Sequence, residues 1–507
     1  MTNALPSSCT VAVIGSGAMG AGIAQIAAAA GHPVKLFDAR TEAIGKAIAG
    51  IRATFVKLAE KGKMSADAAH AAGERLQAAD SLQDLAGSAL VVEAIVENLD
   101  AKRTLFAELE RIVGDDCILA TNTSSISVTS IGAGLRLPSR LAGMHFFNPA
   151  PVMALVEVIS GLATDKAVAD IVYATAAAWG KSPVHAKSTP GFIVNRVARP
   201  YYAEALRLLT ERAAEPATID AVMREAGGFR MGPFELMDMI GHDVNFAVTQ
   251  SVFNAYYNDP RFTPSLAQQE LVNAGFLGRK SGRGFYRHDG SDAPAVGTEA
   301  PQPAPHEIVF MGSGKLAEAV AARFAAAGIA LRRQAAESGA LFECGGATVC
   351  LTDGRSATQR ARDSGKPNTV LVDLALDYAN ATRLALTCAD QCSTEAFQAV
   401  VGAFQAAGFK VSRLDDVPGM AVMRTVAMLA NEAADAVNQG VCSAPAADLA
   451  MQKGVNYPRG PLAWADAVGL EDVMRVLDNL ARVYGEDRYR VSPLIRRKVA
   501  SGGSFHA

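Results

Sequence analysis

The stretch V-A-V-I-G-S-G-A-M-G, residues 11–20, decides the fold. A short β-branched run ends at a cluster of glycines and passes straight into an Ala-rich helical pattern. Gly15, Gly17 and Gly20 form GxGxxG in the setting that gives the motif meaning, directly after a strand and at the start of a helix. The first two glycines permit the turn and close backbone approach. The third lets helix pack on strand, and the helix N-terminus is suited to a pyrophosphate. A second run, V-K-L-F, ends at Asp38, 23 residues after Gly15. A carboxylate there is expected on ribose hydroxyls and disfavours a 2′-phosphate, so NAD is favoured over NADP, with Arg40 softening the choice. Without the acid, the glycines alone would mean no more than a tight turn.

Outward from this stretch the βαβ pattern continues. A long helix is expected from about Thr41 to Lys61, then strands in L-V-V-E-A-I near Leu90 and C-I-L-A-T near Cys117. Two more strands are expected in L-A-G-M-H-F-F and A-L-V-E-V-I, on either side of the turn-prone N-P-A-P. After Pro190 the spacing becomes helical. The expected organisation is a Rossmann-type NAD-binding domain over 1–187, a helical domain over 188–286, a Pro/Ala/Gly-rich linker over 287–306, a reduced Rossmann-like domain over 307–412 and a second helical copy over 413–507. The class is α/β plus all-α.

The second half is expected from an internal repeat. P-G-F-I-V-N-R from Pro190 recurs as P-G-M-A-V-M-R from Pro418, an offset of 228, and Gly232-Pro233, Asp238 and Gly241 recur as Gly460-Pro461, Asp466 and Gly469 in the same register. I-V-F-M-G-S-G-K-L-A from Ile308 echoes the opening stretch, but Ala317 replaces the third glycine and no acid follows the next strand. That cluster reads as a relic rather than a second nucleotide site.

Bulk composition narrows the class. The 507 residues exceed one hydrophobic core, and a net charge of −3 with 50% hydrophobic and 20% charged residues gives no reason to expect nucleic acid. The seven cysteines form no CxxC pair, so neither a metal site nor a disulfide framework is expected, and reduced thiols suit a cytoplasmic protein. No secretory signal is read at the start. The uncharged run from Val11 to Gly31 has a membrane span's length, but its glycines argue for strand, turn and helix.

Oxidising an alcohol with NAD needs a base for the hydroxyl proton, and histidine suits it near neutrality. Of eight histidines, His145 differs from the rest: it ends a strand before N-P-A-P, with Glu157 on the strand that follows. A Glu on the far imidazole nitrogen would fix its tautomer. A buried, hydrogen-bonded structural histidine fits the pattern equally well.

The strings A-T-N-T-S-S-I, G-M-H-F-F-N-P-A-P-V-M-A-L-V-E-V-I, T-P-G-F-I-V-N-R and M-G-P-F-E-L-M-D, in that order within residues 8–286, resemble the L-3-hydroxyacyl-CoA dehydrogenase family. The resemblance implies that His145 is the base, Glu157 its partner, and that Ser124 and Asn195 hold the reacting oxygen. Gly15, Gly17, Ala18, Met19, Gly20, Asp38, Glu97, Lys102, Asn122, Asn148 and Lys280 would then contact NAD, and Thr54 and Lys61 the CoA moiety. Met423 stands where the first copy has Asn195, and no H-F-F-N-P string recurs, so the second half is expected to be silent. Similar chains occur among bacterial 3-hydroxybutyryl-CoA and 3-hydroxyadipyl-CoA dehydrogenases of fatty acid β-oxidation or phenylacetate breakdown. The expected partner is an acyl-CoA thioester, with no membrane. The two helical copies are expected to form an internal pseudo-dimer, with or without further association into a homodimer. A dehydrogenase of a free hydroxy acid and a non-catalytic NAD-binding protein are the competing readings.

Overall fold

The computed structural model describes residues 3–291, 294–335 and 339–506. The chain divides into two compact units, one of residues 1–196 with 439–455, the other of 197–438 with 456–507.

In the first unit, β1 (Val11–Ile14), β2 (Val34–Phe37), β3 (Leu76–Ala78), β4 (Leu90–Glu93), β5 (Ile118–Thr121), β6 (Leu141–Phe146), β7 (Leu155–Ser160) and β8 (Ser182–Lys187) form one sheet in the order 3-2-1-4-5-6-7-8. The chain reverses direction across the sheet between β1 and β4, the crevice where open α/β sheets take ligands. The central strands are buried on both faces, which is why they read as near-continuous apolar runs rather than alternating ones. Two helices follow the opening strands as expected: α1 (Ala18–Ala29) and α2 (Thr41–Glu60), the latter burying Ile44, Ile48, Ile51 and Phe55 at helical spacing. β3 and β8 were not read from the sequence. L-Q-A is too short for an alternation to register, and S-P-V-H-A-K carries a proline that argues against a strand.

β6 and β7 run antiparallel, with His145 directly opposite Glu157. The helix Ala444–Gly454, from the second half of the sequence, packs on β7 and β8 in this same unit.

The second unit holds a seven-stranded sheet of β9 (Glu307–Phe310), β10 (Ala330–Arg333), β11 (Ala340–Cys344), β12 (Ala347–Leu351), β13 (Thr369–Val372), β14 (Arg383–Cys388) and β15 (Lys410–Arg413), in the order 10-9-11-12-13-14-15. Its reduction has a specific form. Where the first sheet joins β1 to a parallel β4, here β11 lies antiparallel to both β9 and β12 and reaches β12 through the Gly345-Gly346 hairpin. A hairpin replaces a crossover.

The helical pattern occurs twice. Pro233–Ile240 and Pro461–Val468 each start after a glycine and end at a glycine of nearly equal backbone geometry, Gly241 (φ 98°, ψ 129°) and Gly469 (φ 105°, ψ 123°). Asp238 accepts hydrogen bonds from the amides of Phe285 and Tyr286, as Asp466 does from those of Phe505 and His506. Contacts between the copies recur at the 228-residue offset. The Lys187 amide donates to the Val441 carbonyl, and Asp415 to Ala213. Arg196 donates to Gln439, and Arg424 to Glu211. Arg261 donates to Glu432, and Tyr489 to Glu204. No described helix is long and apolar enough to cross a membrane.

Candidate active site

The glycine turn is held by contacts that only glycine allows. Gly15 adopts φ +103°, and a Cβ on it would lie 2.5 Å from the Ala94 carbonyl oxygen, while one on Gly20 would lie 1.8 Å from the Gly15 oxygen. Beside Gly17, the N-cap of α1, there is open space, and no side chain caps the helix. The first-turn amides, including those of Ala18 and Met19, are therefore available to an anion. Asp38 follows β2. Its Oδ2 accepts from the Ser16 amide and hydroxyl, each at 2.7 Å, and its Oδ1 from the Arg40 amide at 2.9 Å. Partial burial pushes this carboxyl up, but the Ser16 and Arg40 contacts outweigh it and hold the pKa below the usual value. A phosphate-accepting turn beside an ionised acid fits NAD.

The loop after β5 is tied down by Glu97. Its Oε1 accepts from the Thr123 hydroxyl at 2.6 Å, the Ser124 and Ser125 amides at 2.9 and 3.0 Å, and more distantly the Ser124 hydroxyl at 3.4 Å. Burial raises the Glu97 pKa, but Thr123, Lys102 and the serines bring it below its ordinary value. Lys102 is 1% exposed, with its ammonium 2.6 Å from Glu93 and 3.4 Å from Glu97. It lies beneath the loop, neutralising the two acids. Asn122 accepts from the Phe146 amide at 2.8 Å and so joins the loop to β6, whose end leads into Asn148.

At the end of β6, His145 Nδ1 is 2.7 Å from Glu157 Oε2. The other carboxylate oxygen of Glu157 accepts from the Ile193 and Val194 amides, both at 3.0 Å, at the start of the helical turn Val194–Val197 that carries Asn195. One carboxylate thus grips both the imidazole and the backbone next to Asn195. An ionised Glu157 keeps the proton on Nδ1 and leaves Nε2 with a lone pair for a substrate hydroxyl. The rings of Phe147 and Phe192 lie 4.6 and 5.8 Å from the imidazole, giving it an apolar wall. The strand pair predicted the His–Glu contact. The bonds to Ile193 and Val194 carry no sequence signal, because backbone amides have none.

The remaining candidates make local contacts of their own. Thr54, on α2, uses its hydroxyl on the Gly50 carbonyl at 2.8 Å, and Lys61 is exposed at the C-terminus of the same helix. Lys280 belongs to the second unit, where its ammonium meets Asp243.

The second half repeats part of the site and omits the rest. Asp373, after β13, accepts from the Ala421 and Val422 amides at 2.9 and 2.8 Å, and these are Ile193 and Val194 moved by 228. The backbone turns match: Phe192 has φ 47° and Met420 φ 53°. Among the described residues no imidazole is bonded to Asp373, whose other oxygen takes the Met423 and Leu374 amides. Burial pushes its pKa up to about 6 against those four amides. Met423 lines a cavity of about 590 Å³ over the Gly312–Gly314 turn. The helix anchor has survived without the base. Among the described residues no three His, Cys, Asp or Glu side chains gather as a metal site.

Comparison with known proteins finds family matches in both halves of the chain. Residues 10–189 match the family described as "3-hydroxyacyl-CoA dehydrogenase, NAD binding domain". Residues 191–288 and 419–504 each match "3-hydroxyacyl-CoA dehydrogenase, C-terminal domain", and 349–418 match "3-hydroxybutyryl-CoA dehydrogenase reduced Rossmann-fold domain". The chain is 44% identical over 491 residues to "3-hydroxyadipyl-CoA dehydrogenase" of Escherichia coli (strain K12), covering 96% of this chain and 97% of that one. It is 40% identical over 286 residues to the human "Hydroxyacyl-coenzyme A dehydrogenase, mitochondrial", covering 55% of this chain and 90% of the relative. A crystal structure titled as 3-hydroxybutyryl-CoA dehydrogenase from Escherichia coli superimposes with a TM-score of 0.89 at 43% identity, covering 98% of this chain and all of that one.

Proposed function

This chain belongs to the 3-hydroxyacyl-CoA dehydrogenase family, and from that premise we propose that it reversibly oxidises (S)-3-hydroxyadipyl-CoA or (S)-3-hydroxybutyryl-CoA to the 3-oxoacyl-CoA with NAD. The reading rests above all on the Glu157 carboxylate, bonded at one oxygen to His145 and at the other to the amides before Asn195.

In this reading His145 Nε2 takes the substrate hydroxyl proton, and Glu157 stabilises the resulting imidazolium without leaving its place. Ser124 and Asn195 donate hydrogen bonds to the substrate oxygens as charge develops on them. Bound NAD supplies the hydride acceptor. Gly15, Gly17, Ala18, Met19 and Gly20 receive its pyrophosphate and Asp38 a ribose diol. Glu97, Lys102, Asn122, Asn148 and Lys280 complete the cofactor set, with Glu97 and Lys102 also holding the Ser124 loop, and Thr54 and Lys61 take the CoA end. His145→Gln keeps a polar side chain but removes the base. Its kcat on 3-hydroxybutyryl-CoA should fall by about 10²- to 10⁴-fold, followed as NADH formation. Near-normal turnover would refute the assignment, and activity on free hydroxy acids alone would favour the rival dehydrogenase.

The five-part division stated from the sequence, with boundaries at 187, 286, 306 and 412, is retained as the working organisation, supported by the spans that match separate family descriptions. The helical copies are read as an internal pseudo-dimer. Contacts that exchange partners at a fixed offset are the mark of an isologous interface, and three such pairs support it. Residues 1–290 produced alone should then associate as a homodimer in sedimentation, and a folded monomer would remove the reading. A cytoplasmic location is favoured by seven cysteines that are all free thiols.

A further inference from the structure

Asn195 lies in the turn Val194–Val197, and residues far along the sequence hold its neighbours on both sides. The segment Gln439–Val455 belongs to the same compact unit as Asn195, although it comes from the half that lacks a base. At one end of it, the Gln439 side-chain oxygen accepts from Arg196 Nη1 at 2.9 Å. Two residues on, the Val441 carbonyl accepts from the Lys187 amide at the end of β8. At the other end, Gly454 closes the helix Ala444–Gly454 against Val194 and Leu155.

Space, not backbone, requires the glycine at 454. It ends an ordinary helix, on the buried face made by Ala447, Ala450 and Met451. A Cβ on it would lie 2.6 Å from Leu155 Cδ2 and 3.0 Å from Val194 Cγ2. Those side chains are 0% and 2% exposed, so they have little room to yield. Leu155 points to the same face of β7 as Glu157, two residues on, and the Val194 amide is one of the two that Glu157 accepts. A side chain at 454 would push on the strand that presents Glu157 and on the turn that presents Asn195.

Gln439 works on the other flank. Arg196 is 2% exposed, and the exposed Gln439 is an acceptor that fixes where its guanidinium ends. In the other half an acid takes this place, since Arg424, 228 residues on, donates to Glu211. A side-chain amide that holds a reacting oxygen contributes only if it is in place as charge develops, and a misplacement of about 1 Å can cost about 10²-fold in rate.

We propose that the half without a base is part of the catalytic centre of the other, with Gly454 and Gln439 acting as positioning residues that fix the turn carrying Asn195 from its two sides. This rests on the role given to Asn195 in the function proposed above. Gly454→Leu, Gln439→Ala and Gln439→Glu are compared with the wild-type full chain. Hydrogen exchange of the peptide 190–198, read by mass spectrometry, reports the turn without any need for activity. Exchange there should quicken at least about tenfold in Gly454→Leu and about two- to tenfold in Gln439→Ala, the worth of one hydrogen bond. Gln439→Glu keeps an acceptor for Arg196 and should exchange as the wild-type chain does.

In kinetics on 3-hydroxybutyryl-CoA, kcat should fall about 10- to 100-fold in Gly454→Leu while NADH affinity stays within about twofold. In an Asn195→Ala background, Gln439→Ala should bring no further loss, because its effect passes through that side chain. Unchanged exchange in both Gly454→Leu and Gln439→Ala overturns the proposal. So does quickened exchange with undiminished kcat, an equal fall in NADH affinity, or an undiminished effect of Gln439→Ala once Asn195 is gone. Should Gly454→Leu fail to fold, the exposed position 439 decides alone. Failure of the wild-type chain to oxidise the thioester would remove the proposed reaction, yet exchange would still tell whether these two residues hold the turn.

Discussion

Glu157 does two things with two oxygens, and the division of labour can be tested. An amide at this position can still accept from the Ile193 and Val194 amides, but only by turning its NH₂ toward His145 Nδ1. That forces the proton onto Nε2 and presents the wrong tautomer to a substrate hydroxyl. Glu157→Gln is therefore expected to lose on the order of 10³- to 10⁴-fold in kcat while its melting temperature moves little, read by stopped-flow NADH formation and calorimetry. Asp373 shows the same anchoring use of a carboxylate stripped of chemistry, since it holds the turn before Met423 with no histidine to orient.

The glycine turn between β1 and α1 is set by element packing rather than by any one side chain. With 1.8 Å between a Cβ at position 20 and the Gly15 oxygen, Gly20→Ala must push α1 away from β1. The first-turn amides would move with it. The expected cost is about 1–3 kcal/mol of stability by overpacking, seen as a lower urea midpoint. NADH affinity should fall at least about tenfold with it, seen by fluorescence titration, because the anion site is made of backbone. In the second half Ala317 already occupies the corresponding place, and the neighbouring strand β11 runs antiparallel, with its Leu341 carbonyl accepting from the Gly312 amide.

At the scale of the molecule, the two helical copies share buried charge. Glu204 is fully buried and bonded by Arg488, Arg424 and Tyr489. Burial alone would raise its pKa, but the two guanidinium groups outweigh that and hold it at about 2, against 4.5 when exposed. A carboxyl depressed on folding stabilises fully above about pH 4.5, and that contribution drains away as pH falls toward 2. Chemical denaturation at pH 7, 4 and 3 should show this fall, with a shallower slope in Glu204→Gln. At pH 7 that variant should be less stable by about 3–5 kcal/mol, because two arginines lose a buried partner.

The sequence by itself determined the Rossmann turn, the preference for NAD, the strand pair that brings His145 to Glu157, and the repeat at an offset of 228. Each is written in local pattern or in identity at a distance, and neither needs coordinates. It did not reveal β3 or β8, the hairpin that replaced a crossover in the second sheet, or the helix Ala444–Gly454 on β7 and β8. Those depend on which backbone amides find which acceptors once the chain is packed. Such properties belong to residues far apart in sequence, and only the folded chain brings them together.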